Sequence, residues 1–133
     1  MRGIDAAGIH VPKYRLDSDE IAATWDSSGA GGVKRRAVPA ADEDAVTMAI
    51  AASENLFLAD DGGDPIPRTA VDRINFATTT QPIEEEELSS RLVRALALDR
   101  TVSTRTYGAS TAASGEALAD AVAGTGTTLV VAA

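Results

Sequence analysis

Val71-Asp72-Arg73-Ile74-Asn75-Phe76-Ala77-Thr78 is the stretch that decides the class of this chain. Apolar and polar residues alternate through it with the two-residue period of a strand. A helix pattern follows between Ile83 and Leu98, where Leu88, Leu92, Ala95 and Leu96 step by three and four to form a buried stripe. Glu84, Glu85, Glu86 and Glu87 fall in the first turn of that helix, where negative charge suits the positive end of its dipole. Consecutive residues fan around a helix axis, so the four carboxylates read as a solvated turn rather than a cation site. Thr101-Val102-Ser103-Thr104-Arg105-Thr106-Tyr107 is β-rich again and closes at Gly108. A helix of small residues then runs to Ala123, with Ser110 or Thr111 as its cap and Gly124 at its end. Thr127-Thr128-Leu129-Val130-Val131-Ala132 begins a last strand. Strands alternating with helices predict an α/β protein with a mainly parallel sheet flanked by helices.

Working outward to the N-terminal side, Asp42 is placed to cap a helix over residues 43–58, with Val46, Ala49, Ile50, Ser53, Leu56 and Phe57 on its buried face. Asp60, Asp61 and Asp64 surround Gly62-Gly63 but lack the terminal bidentate glutamate of a calcium loop, so the segment reads as a solvated turn. Gly3-Ile4-Asp5-Ala6-Ala7-Gly8-Ile9-His10-Val11 reads as a first strand stopped by Pro12. Asp17-Ser18-Asp19-Glu20 starts a helix with Ile21, Ala22 and Trp25 on one face. The glycine-rich stretch 27–32 lacks a following lysine-serine/threonine pair and is no P-loop. Arg35-Arg36-Ala37-Val38 is a short extended segment ending at Pro39.

Composition narrows the function classes. The 133 residues carry 20 Asp plus Glu against 12 Lys plus Arg, a formal charge of -8, and 44% are apolar. That is a globular composition. An acidic balance, with a pI near 4.5, argues against nucleic acid and anionic membrane surfaces as partners. There is no cysteine, which removes disulfides, thiolate metal sites and a cysteine nucleophile together; no metal site is expected. Ten Arg against two Lys, and twelve Asp against eight Glu, suit a protein kept soluble at high salt, or else a GC-rich genome. Residues 1–8 lack a long apolar segment, and no apolar run approaches the ~20 residues of a membrane helix, so a cytoplasmic protein is expected. The sequence stops inside an apolar strand, which reads as a truncated chain or one half of a larger architecture.

Three stretches resemble one known family. Gly8-Ile9-His10-Val11-Pro12-Lys13-Tyr14-Arg15 looks like the opening strand of archaeal-type hydroxymethylglutaryl-CoA synthases. Ala37-Val38-Pro39-Ala40-Ala41-Asp42-Glu43-Asp44-Ala45-Val46-Thr47-Met48-Ala49 resembles the segment leading into their second long helix. Gly124-Thr125-Gly126-Thr127-Thr128-Leu129-Val130-Val131-Ala132-Ala133 is similar to the run after their nucleophile. The resemblance implies a thiolase-like N-terminal half-domain over residues 1–133, and a condensing enzyme acting on acyl-CoA thioesters. Such an enzyme needs a thiolate at the head of a buried helix, where the dipole lowers its pKa and backbone N–H groups hold the oxyanion. It also needs a glutamate at a strand end and a histidine from a second half-domain.

The sequence departs from that pattern at both positions it would supply. Aligned on Gly115, Ala112 stands where the family has its cysteine, and Thr79 stands at the strand-end glutamate. His10, on the expected first strand, does not replace the missing histidine. Ser110, Thr111 and Ser114 read as a cap and small packing residues, the alternative being that Ser110 or Ser114 stands in for the thiolate; a serine there needs a base, and the sequence offers none. Lys34, Arg35 and Arg36 lie where the family admits CoA, which sets contact with a nucleotide phosphate against a plain surface run. The family dimerises through the edge strand before the nucleophile helix, here residues 101–107, so a homodimer or heteromer through that strand is implied. Together these features imply a synthase-like protein, non-catalytic by itself and acting as partner or scaffold of acyl-CoA condensing enzymes. The alternative is a fragment of an active acyltransferase.

Overall fold

The computed structural model of the chain describes residues 3–25, 32–59, 64–83, 86–108 and 110–133. They fall into two compact units, Val11–Asp44 and the pair of segments Met1–His10 and Ala45–Ala133. The glycine-rich stretch 27–31, the residues Asp60 to Gly63, and Glu84 and Glu85 lie outside the described residues.

In Val11–Asp44, strand β1 (Tyr14–Asp17) leads into helix α1 (Ser18–Trp25), and strand β2 (Arg35–Val38) returns antiparallel to β1. Asp19 and Glu20 occupy the first turn of α1 as the sequence predicts. The Ser18 N–H donates to the Lys34 carbonyl at 3.0 Å and extends the bonding of the strand pair into the helix start. The expected buried face of α1 does not form. Ile21 and Ala22 are half-buried and Trp25 is 65% exposed, because so small a unit has too little apolar surface to enclose an indole.

The expected first strand over residues 3–11 is also absent. Residues 3–12 form no strand; Gly8 backs onto helix α2 (Ala45–Leu58), and Asn55 Nδ2 donates to the Ile9 carbonyl at 2.8 Å. Alternation predicts a strand only where another strand offers a ladder, and this segment meets the side of a helix. The strand forms later, from Tyr14, beyond the missing donor of Pro12.

The larger unit is built on three parallel strands in the order β4 (Ser103–Tyr107), β3 (Arg73–Ala77), β5 (Thr128–Ala132). One face of β3 and β5 carries Ile74, Phe76, Leu129 and Val131 into a core shared with Val46, Ala49 and Phe57 of α2 and with Leu88 and Leu92 of helix α3 (Leu88–Ala95). The opposite face is thin. Ala77, Val130 and Tyr107 lie under Ala113 and Ala117 of helix α4 (Ala113–Ala123), so alanine sets a close helix–sheet approach. Arg68, in a short 3-10 turn before β3, joins α2 to the end of α3. Its guanidinium donates to the Leu96 carbonyl at 2.7 Å and to Glu54, 4.7 Å from the Phe57 ring centre.

The stripe of α2 is buried or half-buried at every predicted position, though the helix begins at Ala45 rather than after Asp42. Helix α3 is shorter than expected. It starts at Leu88 with no acidic residue in its first turn, since Glu87 is extended at the cap and its carboxylate accepts from the Ser89 and Thr106 hydroxyls. Leu88, Leu92 and Leu96 are fully buried, whereas Ala95 is exposed and Val93 takes the inward position. Among the described residues no helix is long and apolar enough to cross a membrane.

Candidate functional site

The C-terminal ends of β3 and β5 meet the head of α4. Ala77, Thr78 and Thr79, then Ser110, Thr111, Ala113 and Ser114, then Ala132 and Ala133 line a cavity of about 290 Å³. This is where open α/β sheets place ligands, because loops and helix starts gather at the carboxyl ends of parallel strands. Thr78 is committed to the frame: its N–H donates to the Tyr107 carbonyl at 3.0 Å, and its Oγ1 accepts from Thr80 N at 3.1 Å. Thr79 is exposed at the mouth.

Ser110 shapes the head of α4. Its Oγ accepts from Ala112 N and its carbonyl from Ala113 N, both at 3.1 Å. The sequence allowed Ser110 or Thr111 as the cap residue; the cap position itself is Ala112, which has no side-chain bond to give. Thr79, Ser110 and Ser114 are thus brought to one cavity, while Ala112 stands exposed at the cap and outside the lining. The described lining holds hydroxyl and methyl side chains, with no carboxylate, imidazole, amine or thiol side chain. Hydroxyls and helix-head amides can orient a polar or anionic group, but near neutrality they do not exchange protons as a tuned carboxylate or imidazole does.

Beneath the middle of α4 lies a charged joint that sequence reading did not single out. Asn75 is fully buried, and its Nδ2 donates to the Ala117 carbonyl at 2.9 Å and to Asp120 Oδ2 at 3.2 Å. Arg105 reaches Asp120 Oδ1 at 2.9 Å, and Arg73 reaches Oδ2 at 3.4 Å. The nearby Tyr107 hydroxyl, the Asn75 amide and the two guanidiniums hold the Asp120 carboxyl below the usual carboxylate range. The Tyr107 hydroxyl and Asn75 Oδ1 are buried without a hydrogen-bond partner among the described residues. Period-two alternation had marked Asn75 only as a polar position. Its partner Asp120 lies on another element, so no local signal joined them.

The basic cluster sits at and just before β2 of the antiparallel β1–β2 pair in the smaller unit, and the register divides it. Asp17 opposes Arg35 and Arg15 opposes Ala37, whereas Leu16 opposes Arg36 and Tyr14 opposes Val38. Opposed residues share a face and neighbours alternate, so Arg35 and Arg36 lie on opposite faces. Arg35 is engaged with Asp17 at 2.7 Å. Lys13 stands 5.1 Å from the Tyr14 ring centre, and Arg15 donates to the Tyr14 carbonyl at 2.8 Å and to that of Pro12. These three join Lys34 and Arg36 as basic or aromatic residues on or beside the β1–β2 pair. The sequence reading had missed them by placing the strand too early.

No protein-family model matches the chain. Its solved neighbours share one architecture. A structure of MvaS in complex with 3-hydroxy-3-methylglutaryl coenzyme A superposes with a TM-score of 0.82 at 24% identity, covering 98% of this chain and 33% of that one. A β-ketoacyl-[acyl carrier protein] synthase III from Thermus thermophilus gives 0.76 at 26% identity, over 92% of this chain and 38% of its own. The fold is thiolase-like. In sequence, the thiolase-like chain is 30% identical over 125 residues to a hydroxymethylglutaryl-CoA synthase of Thermococcus onnurineus, across 90% of its own length and 33% of the relative's. It thus resembles archaeal hydroxymethylglutaryl-CoA synthases over most of its length, and it spans about a third of the length of the relatives it matches.

Proposed function

We propose that this thiolase-like chain is a hydroxymethylglutaryl-CoA-synthase-like protein that is non-catalytic by itself and serves acyl-CoA condensing enzymes as a partner or scaffold subunit. The observation behind this reading is the composition of the cavity at the head of α4, whose described lining offers hydroxyl and methyl side chains and no side chain that transfers protons near neutrality. The family positions matched to Thr79 and Ala112 agree with it, since neither residue carries a thiolate or a carboxylate. Association runs through β4, an edge strand of the three-stranded sheet, whose Thr/Ser/Arg pattern leaves backbone donors and acceptors for a strand of a second copy or of another condensing enzyme. The acidic, arginine-rich composition fits a salt-adapted archaeal cytoplasm.

A CoA thioester, in this reading, meets the basic β1–β2 pair through its phosphates. Lys34 and Arg36 supply the contact, and Arg35 contributes less because Asp17 already holds it. Two measurements test the proposal. Mixed with candidate condensing enzymes at high salt, the chain is expected to co-elute on size exclusion; separate elution from every candidate, together with a monomeric mass, overturns the partner reading. Incubated with acetyl-CoA, the chain is expected to keep its intact mass. An added acyl group mapped to Ser110 or Ser114 favours the second reading, a fragment of an active acyltransferase, which the coverage of about a third of the relatives' length accommodates. For the basic strand pair, CoA titrated calorimetrically against Lys34→Ala/Arg36→Ala is expected to bind more weakly than against Arg35→Ala, and equal affinities remove that assignment.

A further inference from the structure

We draw no further inference here: the strongest candidate, the joint of Asn75, Tyr107 and Asp120 beneath α4 with its unpartnered Asn75 amide oxygen, carries nothing because no feature of the structure shows a ligand that reaches it and its bonds already account for its place between helix and sheet.

Discussion

Replacing Gly8 by alanine tests the placement of the first residues against α2. A Cβ at Gly8 would stand 2.5 Å from the Ala52 carbonyl oxygen and 2.6 Å from both Leu56 N and Leu56 Cβ. Two of these atoms are helix backbone, which cannot swing aside as a flexible side chain would. The methyl therefore either stays and forces the segment against α2, at an overpacking cost of about 1–3 kcal/mol, or it drives residues 3–10 off the helix. Detachment forfeits the hydrogen bond from Asn55 to Ile9, about 1 kcal/mol, together with modest burial, because Ile4 and Ile9 are 78% and 73% exposed in place. The cheaper route decides the outcome, so the expected loss is about 1–2 kcal/mol. Gly3→Ala is the internal control. Nothing lies within 4 Å of a Cβ at Gly3, and the change should stay within about 0.5 kcal/mol. Urea unfolding at high salt, followed by far-ultraviolet circular dichroism, reads the loss. A smaller m-value and faster proteolysis within residues 3–10 mark detachment, because less surface is then exposed on unfolding. Equal midpoints and equal cleavage for G8A and G3A would refute the placement.

Three further changes probe other elements. Glu87 is raised by burial but lowered more by the Ser89 and Thr106 hydroxyls, so its carboxyl lies below its usual 4.5. A depressed folded value contributes stability above the unfolded pKa and loses it as the pH falls through the folded one. Glu87→Gln should therefore cost under about 1 kcal/mol at pH 7 and flatten the loss of stability on acidification below about pH 4.5; an unchanged acid limb in unfolding curves argues against the contact. Ala97, just past the Leu96 cap of α3, has φ +50°, where a Cβ is strained, so Ala97→Gly should gain up to about 1 kcal/mol after allowing for a freer unfolded chain. A fall in thermal midpoint contradicts that geometry. With a formal charge of -8, the thermal midpoint should rise as potassium chloride increases from tenths of molar to molar, and a flat or falling trend removes the salt-adapted reading.

How much of the fold was readable follows from where each element finds its partners. β3 and the stripe of α2 were legible because their periodicity answers to neighbours that the fold supplies. Residues 3–11 misled because alternation reports what a strand requires of its two faces and says nothing of whether a ladder partner exists; α2 occupies that side instead. The start of α3 moved from Ile83 to Leu88 for a similar reason. Four glutamates favour a helix N-terminus in isolation, but Glu87 gives its carboxylate to Thr106 on the neighbouring strand, which is a tertiary competitor invisible along the chain.

The candidate site shows the same division more sharply. A resemblance fixes residues by alignment, and the alignment named Ala112 and Thr79. A cavity instead selects residues by the direction in which a helix head and two strand ends face, and it gathers Thr79 with Ser110, Thr111 and Ser114. The β1–β2 pair behaves likewise: Lys34, Arg35 and Arg36 are contiguous in sequence, yet strand alternation and the Asp17 pairing separate Arg35 from Arg36. Contiguity overstated that cluster while concealing Tyr14 and Arg15, which the register sets opposite Val38 and Ala37, and Lys13 just before them. Chemistry that depends on residue type was therefore legible at once, as the absent thiol shows. Chemistry that depends on facing required the register, because a one-residue step in a strand reverses the side on which a charge is presented.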